Sequence, residues 1–238
     1  METPQLTETI LIRVKEGVAI KNDTPEMKAF QKLTDIVKSQ DGFLRQYWGH
    51  QVEDDNIFVW SIDWKWKSDH DRLLESVDLK STITAGLAEL SDVKKHPPFI
   101  TYTEFKSDPT AAYTAPVTEV AFVNMPAGYG EAEKYSMDND MSHVGDEVKT
   151  VGKSWGSATG WIVETLPKDT EPTGEMVALL GVFGYASIDD HMRWRETPEH
   201  ARIMVQMGVL AEKTGMSGTK AKILGGRSMF HVHFEGGK

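Results

Sequence analysis

Near its end the chain carries Met229-Phe-His-Val-His-Phe234, an alternating segment that puts Met229, His231 and His233 on one face of a strand and Phe230, Val232 and Phe234 on the other. Histidine is the side chain that titrates unperturbed near neutral pH, so such a face is either solvated or supplies a general base at a pocket wall. More histidines follow an aromatic-x-Ser turn: Tyr185-Ala-Ser187, then Asp190-His191, Trp194, and Thr197-Pro-Glu-His200. A spacing of three puts His191 and Trp194 on one helix face, where one can line a cavity and the other cap it. His200, early in the next helix, either reaches a pocket mouth or only packs the joint. The chemistry open to these residues is general acid–base proton transfer.

Composition narrows the classes. The chain has 238 residues, no cysteine and a net charge of −10. Disulfides, thiolate nucleophiles and iron–sulfur clusters are excluded, and a basic face for a nucleic-acid partner is not expected. No apolar run reaches the roughly 18 residues of a membrane helix, so no membrane partner is expected. The opening Met-Glu-Thr-Pro-Gln has no secretory character, which points to a cytoplasmic protein. His231-x-His233 with Glu104 would be a two-histidine, one-carboxylate metal site, but no second spaced motif supports it, and no metal is expected.

The elements that must position these residues read as strands at Thr7–Val14, Phe43–Val52, Ile57–Trp66 and Phe99–Lys106, with helices opening at Thr24-Pro25 and Ser68. On the third strand Trp60, Trp64 and Trp66 share a face, as barrel core or ligand platform. Ser107–Pro116 reads as a linker. The order then repeats, with strands at Val117–Met125, Trp155–Glu164, Glu175–Tyr185 and Ser228–Phe234, and helices within 131–153 and from Ser187 to about Gly215. A shift of 111 residues aligns Thr7-Glu8 with Thr118-Glu119, Val37 with Val148, Gly49 with Gly160 and Glu53 with Glu164. The expected fold is α+β: two tandem ferredoxin-like β-α-β-β-α-β repeats, 1–108 and 117–238 around a 109–116 linker, closed into a pseudo-dimeric α/β barrel. Methionine and glycine concentrate in the second half, with Gly160, Gly181 and Gly184 inside strands, so the working cavity is expected there.

Trp66-Lys-Ser68 and Tyr185-Ala-Ser187, with His191 and Thr197-Pro-Glu-His200, resemble the aromatic-x-Ser…His…Ser/Thr-Pro-x-His pattern of the antibiotic-biosynthesis monooxygenase group of the dimeric α/β-barrel superfamily. The first half lacks the Ser/Thr-Pro-x-His part. The resemblance implies a cofactor-independent oxygenase of aromatic polyketide-like substrates, such as anthrones, acting as a single-chain pseudo-dimer or a homodimer. A base removes a proton and the anion reacts with oxygen. His231, His233 and His200 are the expected catalytic residues, with Asn124, which resembles a substrate-orienting residue of the group. Trp194, His191, Tyr185, Phe183 and Met229 are the expected substrate contacts, with Trp64 and Trp66 as a platform. Overlaying the halves sets Tyr102 on His231, Glu104 on His233 and Arg13 on Asn124, polar positions that line a pocket or form a ladder outside one. Some relatives bind haem through a histidine late in the second helix; the nearest candidate here is His96, whose Pro-Pro context reads as a chain break, and no cofactor is expected. A cyclase, dehydratase or decarboxylase of the same fold, and a non-catalytic small-molecule-binding or stress-response barrel, are the competing readings. The ligand's side of the sheet decides whether His231 and His233 or Phe230, Val232 and Phe234 face it.

Overall fold

The structure, a computed structural model, describes residues 6–18, 20–21, 23–126, 128–164, 166–167, 175–205 and 228–237. Strands β1 (Leu6–Arg13), β2 (Phe43–His50), β3 (Ile57–Trp64) and β4 (Phe99–Phe105) alternate with helices α1 (Pro25–Lys38), α2 (Lys67–Glu75) and α3 (Val77–Leu90). A short α4 (Thr110–Tyr113) leads to β5 (Val117–Pro126), α5 (Glu131–Thr150), β6 (Gly156–Ile162), a two-residue β7 (Leu166–Pro167) and β8 (Glu175–Tyr185). Then come α6 (Ile188–Arg195), a helical stretch over 198–205, β9 (Met229–Val232) and β10 (Glu235–Gly237). Most of the Leu166–Gly174 loop and the end of the helical region near Gly215 lie outside the described residues. None of the described helices is long and apolar enough to cross a membrane.

Local chemistry sets the helix starts. Thr24 accepts the Met27 N–H at 3.1 Å just ahead of Pro25, and Ser187 accepts the Asp190 N–H at 3.1 Å. Ser76 accepts the Leu79 N–H, so the single second helix expected from sequence is split into α2 and α3. Ser68 lies inside α2, whose N-cap is Trp66.

The strands form an antiparallel sheet in the order β10-β2-β3-β1-β4-β6-β8-β5-β9, with β7 beside β8. Each half therefore runs second, third, first, fourth. The halves join through β4 and β6, where Phe105 pairs with Gly160. At the far end β10 pairs with β2, Gln51 bridges Val232, and the Val52 N–H donates to the His231 carbonyl at 2.9 Å. The sheet thus curls until its ends meet. β9 has β5 on one side and residues 51–52 on the other, so the closure covers its outer edge and no second strand of its own half does.

Pleating sorts the side chains. Leu11, Val59, Phe105, Val120, Phe122, Leu180, Val182, Phe230 and Val232 face inward and fill the barrel. Phe58, Trp60, Ile62 and Trp64 face outward under α1 and α3, while Ala121, Met125, Leu179, Phe183 and Tyr185 face outward under α5 and α6. Residues 109–116 are not an exposed tether. Tyr113 of α4 is 2% exposed, stacks on Tyr47 at 4.8 Å, and accepts a hydrogen bond from Ser61 at 3.0 Å. A Cβ at Gly184 would lie 2.6 Å from the Ala115 Cβ, so α4 fits because glycine stands there. Nearby, buried Arg45 pairs with Asp63 at 2.8 Å and with Asp108 at 3.0 Å, while Thr7 donates to Asp63 at 2.6 Å.

Candidate active site

Between the outward face of the second half and its helices lies a cavity of about 310 Å³. Its floor is Glu119, Ala121 and Val123 of β5 with Phe183 and Tyr185 of β8. Met141, Val144 and Val148 of α5 form one wall. His191, Trp194 and Arg195 of α6, with His200, Ile203 and Met204 beyond, form the other, and Met229 of β9 closes one side. The alignment of the halves explains why the space exists here. Ile10 pairs with Trp60 across β1 and β3, whereas the matching pair in β5 and β8 is Ala121 and Gly181. Phe30, which packs on Trp60 at 5.1 Å, is matched 111 residues on by Met141. Two wide rings and an isoleucine in the first half's outer core become glycine, methionine and alanine in the second.

The polar end of the cavity is a chain of four side chains. Glu119 Oε2 lies 3.4 Å from His191 Nε2, His191 Nδ1 lies 2.7 Å from His231 Nε2, and His231 Nδ1 lies 2.6 Å from Glu53 Oε1. Glu53 also accepts the His231 backbone N–H at 2.9 Å. Tyr185 stacks on the His191 ring at 4.7 Å and fixes its plane. Burial pushes the Glu119 carboxyl up to about 7, helped by the Glu53 charge and opposed by Arg195. Burial, then the charges of His231, Arg195 and His200, pull His191 down to about 4. Burial and Arg195 lower His200. Burial also works on Glu53, but the hydrogen bonds from His231 outweigh it and hold that carboxyl below its ordinary range. The contacts admit an unbroken proton order. In it Glu53 accepts Nδ1–H of His231, whose Nε2 accepts Nδ1–H of His191. The free Nε2 of His191 faces Glu119, which can donate to it when protonated.

The structure distributes the sequence candidates unevenly. His191, Trp194, Tyr185, Phe183, Met229 and His200 line the cavity, and His231 stands directly behind His191. His233 points to the same side of the sheet but donates Nδ1–H to the Pro116 carbonyl at 2.7 Å and borders a separate depression beside Trp48 and His50. Asn124 shares the inward face of Val120 and Phe122, and its Oδ1 finds no hydrogen-bond partner among the described residues. Trp64 is fully buried under α2 and α3, whereas Trp66 is 46% exposed, because β3 ends at Trp64 and the chain turns into α2. Glu104 is exposed opposite Trp161 at the β4–β6 seam. Arg13 pairs with Asp54 at 3.7 Å beside a polar depression that also includes Asp92, Lys95 and His96. Around His96 that depression is lined mostly by charged side chains, Lys15 and Glu16 among them, which do not fit an apolar porphyrin face. Among the described residues no three histidine or acidic side chains are grouped to hold a metal ion.

No family profile matches the chain, and no curated protein matches it in sequence. Solved structures do. A provisionally named monooxygenase from Lactobacillus acidophilus superposes with a TM-score of 0.55 at 10% identity, over 100% of this chain and 97% of that one. An anthrone oxidase-like protein gives 0.55 at 11% identity, over 99% and 94%. A provisionally named chlorite dismutase gives 0.52 at 10%, over 97% and 94%. The likeness is one of fold.

The residues that sequence reading missed are Glu119, Glu53 and Arg195. Two of them were visible in the 111-residue shift, where Glu8 and Glu119, and Glu53 and Glu164, are identical. In the first half the corresponding positions hold a closed version of the same cluster. Glu8 pairs across the strands with Tyr102 as Glu119 does with His231. His70 Nε2 lies 3.8 Å from Glu8, the His70 and Tyr102 rings are 4.7 Å apart, and Glu164 accepts the Tyr102 backbone N–H at 3.2 Å. Burial raises Glu8 to about 7, with Trp64 and Tyr102 pulling it back. Each cluster borrows its last carboxylate from the other half.

Proposed function

We propose that the protein is a cofactor-independent oxygenase for an aromatic, enolisable substrate of the anthrone or phenol type, held in the second-half cavity. The observation that carries this reading is a largely apolar 310 Å³ cavity with a buried carboxyl–imidazole pair, Glu119 and His191, at one end. Such a cavity accepts a flat apolar ring, and a base poised near neutrality removes its acidic proton. Arg195 and His200, on the wall that also carries His191, hold the oxyanion that delocalisation creates. The electron-rich anion then reduces oxygen itself. The names of the monooxygenase and the anthrone oxidase-like protein that share the fold support this class of reaction. The base differs from the one the sequence suggested: His231 acts through His191, while His233 and Asn124 stand apart from the cavity. The matching strand orders and paired clusters support descent from two ferredoxin-like repeats in a single-chain pseudo-dimer.

Oxygen uptake with anthrone tests the reading. One O2 consumed per anthraquinone and water formed is expected. Turnover at an undiminished rate without oxygen would sink it and favour the second reading, a cyclase or dehydratase, which the same carboxyl–imidazole pair could serve as acid and base.

A further inference from the structure

We propose that Glu119, His191, His231 and Glu53 form a proton relay that carries the proton taken from the substrate out of the cavity and parks it at the protein surface. This rests on the oxygenase reading and deepens it. Three contacts of 3.4, 2.7 and 2.6 Å join the four groups without a break, from a carboxyl 7% exposed in its side chain to one 26% exposed. A base in a dry cavity meets a difficulty: the abstracted proton stays next to the carbanion and returns faster than oxygen arrives. Removing it to another element lengthens the carbanion's life.

The transfer balances. The substrate C–H bond breaks, its electron pair stays on carbon, and the proton goes to the Glu119 carboxylate. Glu119 passes a proton to His191 Nε2, His191 releases its Nδ1 proton to His231 Nε2, and His231 releases its Nδ1 proton to Glu53 and water. No electrons move along the chain. Each imidazole then holds its proton on Nε2 and returns to the Nδ1 form by tautomer exchange. When oxygen has added to the carbanion, one proton comes back to the peroxide anion, so a turnover neither gains nor loses protons. The groups facing the relay favour this direction. Arg195 on α6 and His200 beyond it disfavour a proton resting on His191, as does the neighbouring His231 when charged, while Glu53 from the β2–β3 turn draws it outward. Glu119 and Tyr185, from β5 and β8, enclose the inner end.

Two measurements decide it. Nitrogen-15 spectra of the histidines in the free protein near pH 7.5 should show both rings neutral and protonated at Nδ1, with coupling between His191 Nδ1 and His231 Nε2 across their hydrogen bond. An imidazolium at His191 held against ionised Glu119, or no coupling, would overturn the relay whatever the substrate. The second arm is anaerobic exchange of the acidic anthrone hydrogens with D2O, beside anion formation followed by absorbance. In Glu53→Gln and His231→Gln the anion should still form, with substrate affinity held, while deuterium entry falls about 100-fold because the proton returns to the same carbon. Exchange as fast as in the parent would overturn the relay and leave the oxygenase reading standing. Coupled rings in a protein that never deprotonates anthrone would keep the relay and remove the oxygenase.

Discussion

At the scale of single residues, two carboxyls in matching environments separate catalysis from stability. Glu119 borders the cavity and Glu8 does not, yet burial raises both to about 7. Anthrone oxidation should therefore rise with pH through an apparent midpoint near 7, where Glu119 becomes a carboxylate; the value belongs to the coupled Glu119–His191 pair. Glu119→Gln should lower kcat about 100-fold or more and remove that rising limb, whereas Glu8→Gln should leave both in place. A limb that persists in Glu119→Gln would assign the base elsewhere. Glu8→Gln should show itself in stability instead. A carboxyl near 4.5 unfolded and about 7 folded holds its proton more tightly in the folded state. That contribution is complete below about pH 4.5 and lost as pH rises through 7, an effect on the order of 1–3 kcal/mol. Denaturant melts across pH 4.5–8 should show Glu8→Gln gaining on the parent as pH rises; parallel curves would refute the account.

Elements decide where a cavity can open and where the barrel can close. Ala121 of β5 occupies the place that Ile10 fills in β1, so Ala121→Ile should restore part of the first half's outer core. The expected outcome is a melting temperature equal to or above the parent's with KM for anthrone raised about tenfold, since the added carbons take the ligand's space and lie against apolar walls. Gly160 stands at the β4–β6 seam, where a Cβ would lie 2.6 Å from the Phe105 Cα and closer still to the Glu104 carbonyl. Backbone cannot yield there, so Gly160→Ala should cost about 1–3 kcal/mol in denaturant melts. Its counterpart Gly49 meets the His233 carbonyl and the Val232 side chain at the other seam. Much of this level was legible in the sequence. Period-2 alternation gave β8 its observed bounds, Thr24-Pro25 gave the start of α1, and the 111-residue shift matched the two seam glycines. What periodicity could not give was the role of spacing in three dimensions. Asn124 alternates like its neighbours but faces inward, Trp66 leaves the strand pattern at α2, and residues 109–116 look like a tether until Tyr113 is seen inside the barrel. A glutamate alone on β5 carries no sequence signal of burial; only its identity with Glu8 pointed to it.

For the whole molecule, closure of the sheet is the property on which the rest depends. Inward side chains of both halves meet in one apolar interior, where Leu11, Val59 and Phe105 of the first half share a core with the second and Tyr47 stacks on Tyr113 of the connection. Cross-half contacts also serve both clusters, through Glu53 to His231 and Glu164 to Tyr102. Residues 1–108 expressed alone would expose that inward face together with the buried Arg45–Asp63 pair. Neither 1–108 nor 117–238 should then give a monomer with native near-ultraviolet dichroism, whereas co-expression of 1–116, which keeps Tyr113, with 117–238 should give a one-to-one complex that carries the His191–His231 coupling. The intact chain should behave differently. With β10 on β2 and residues 51–52 against β9, both ends of the principal sheet are paired within one chain. Among the described residues neither β2 nor β9 is left as an open edge for a second copy to extend. Sedimentation of the intact protein should therefore give the mass of one chain at micromolar concentration. A stable, natively packed monomer of 1–108 would show that each half closes its own core, and the interdependence of the two clusters would fall with it.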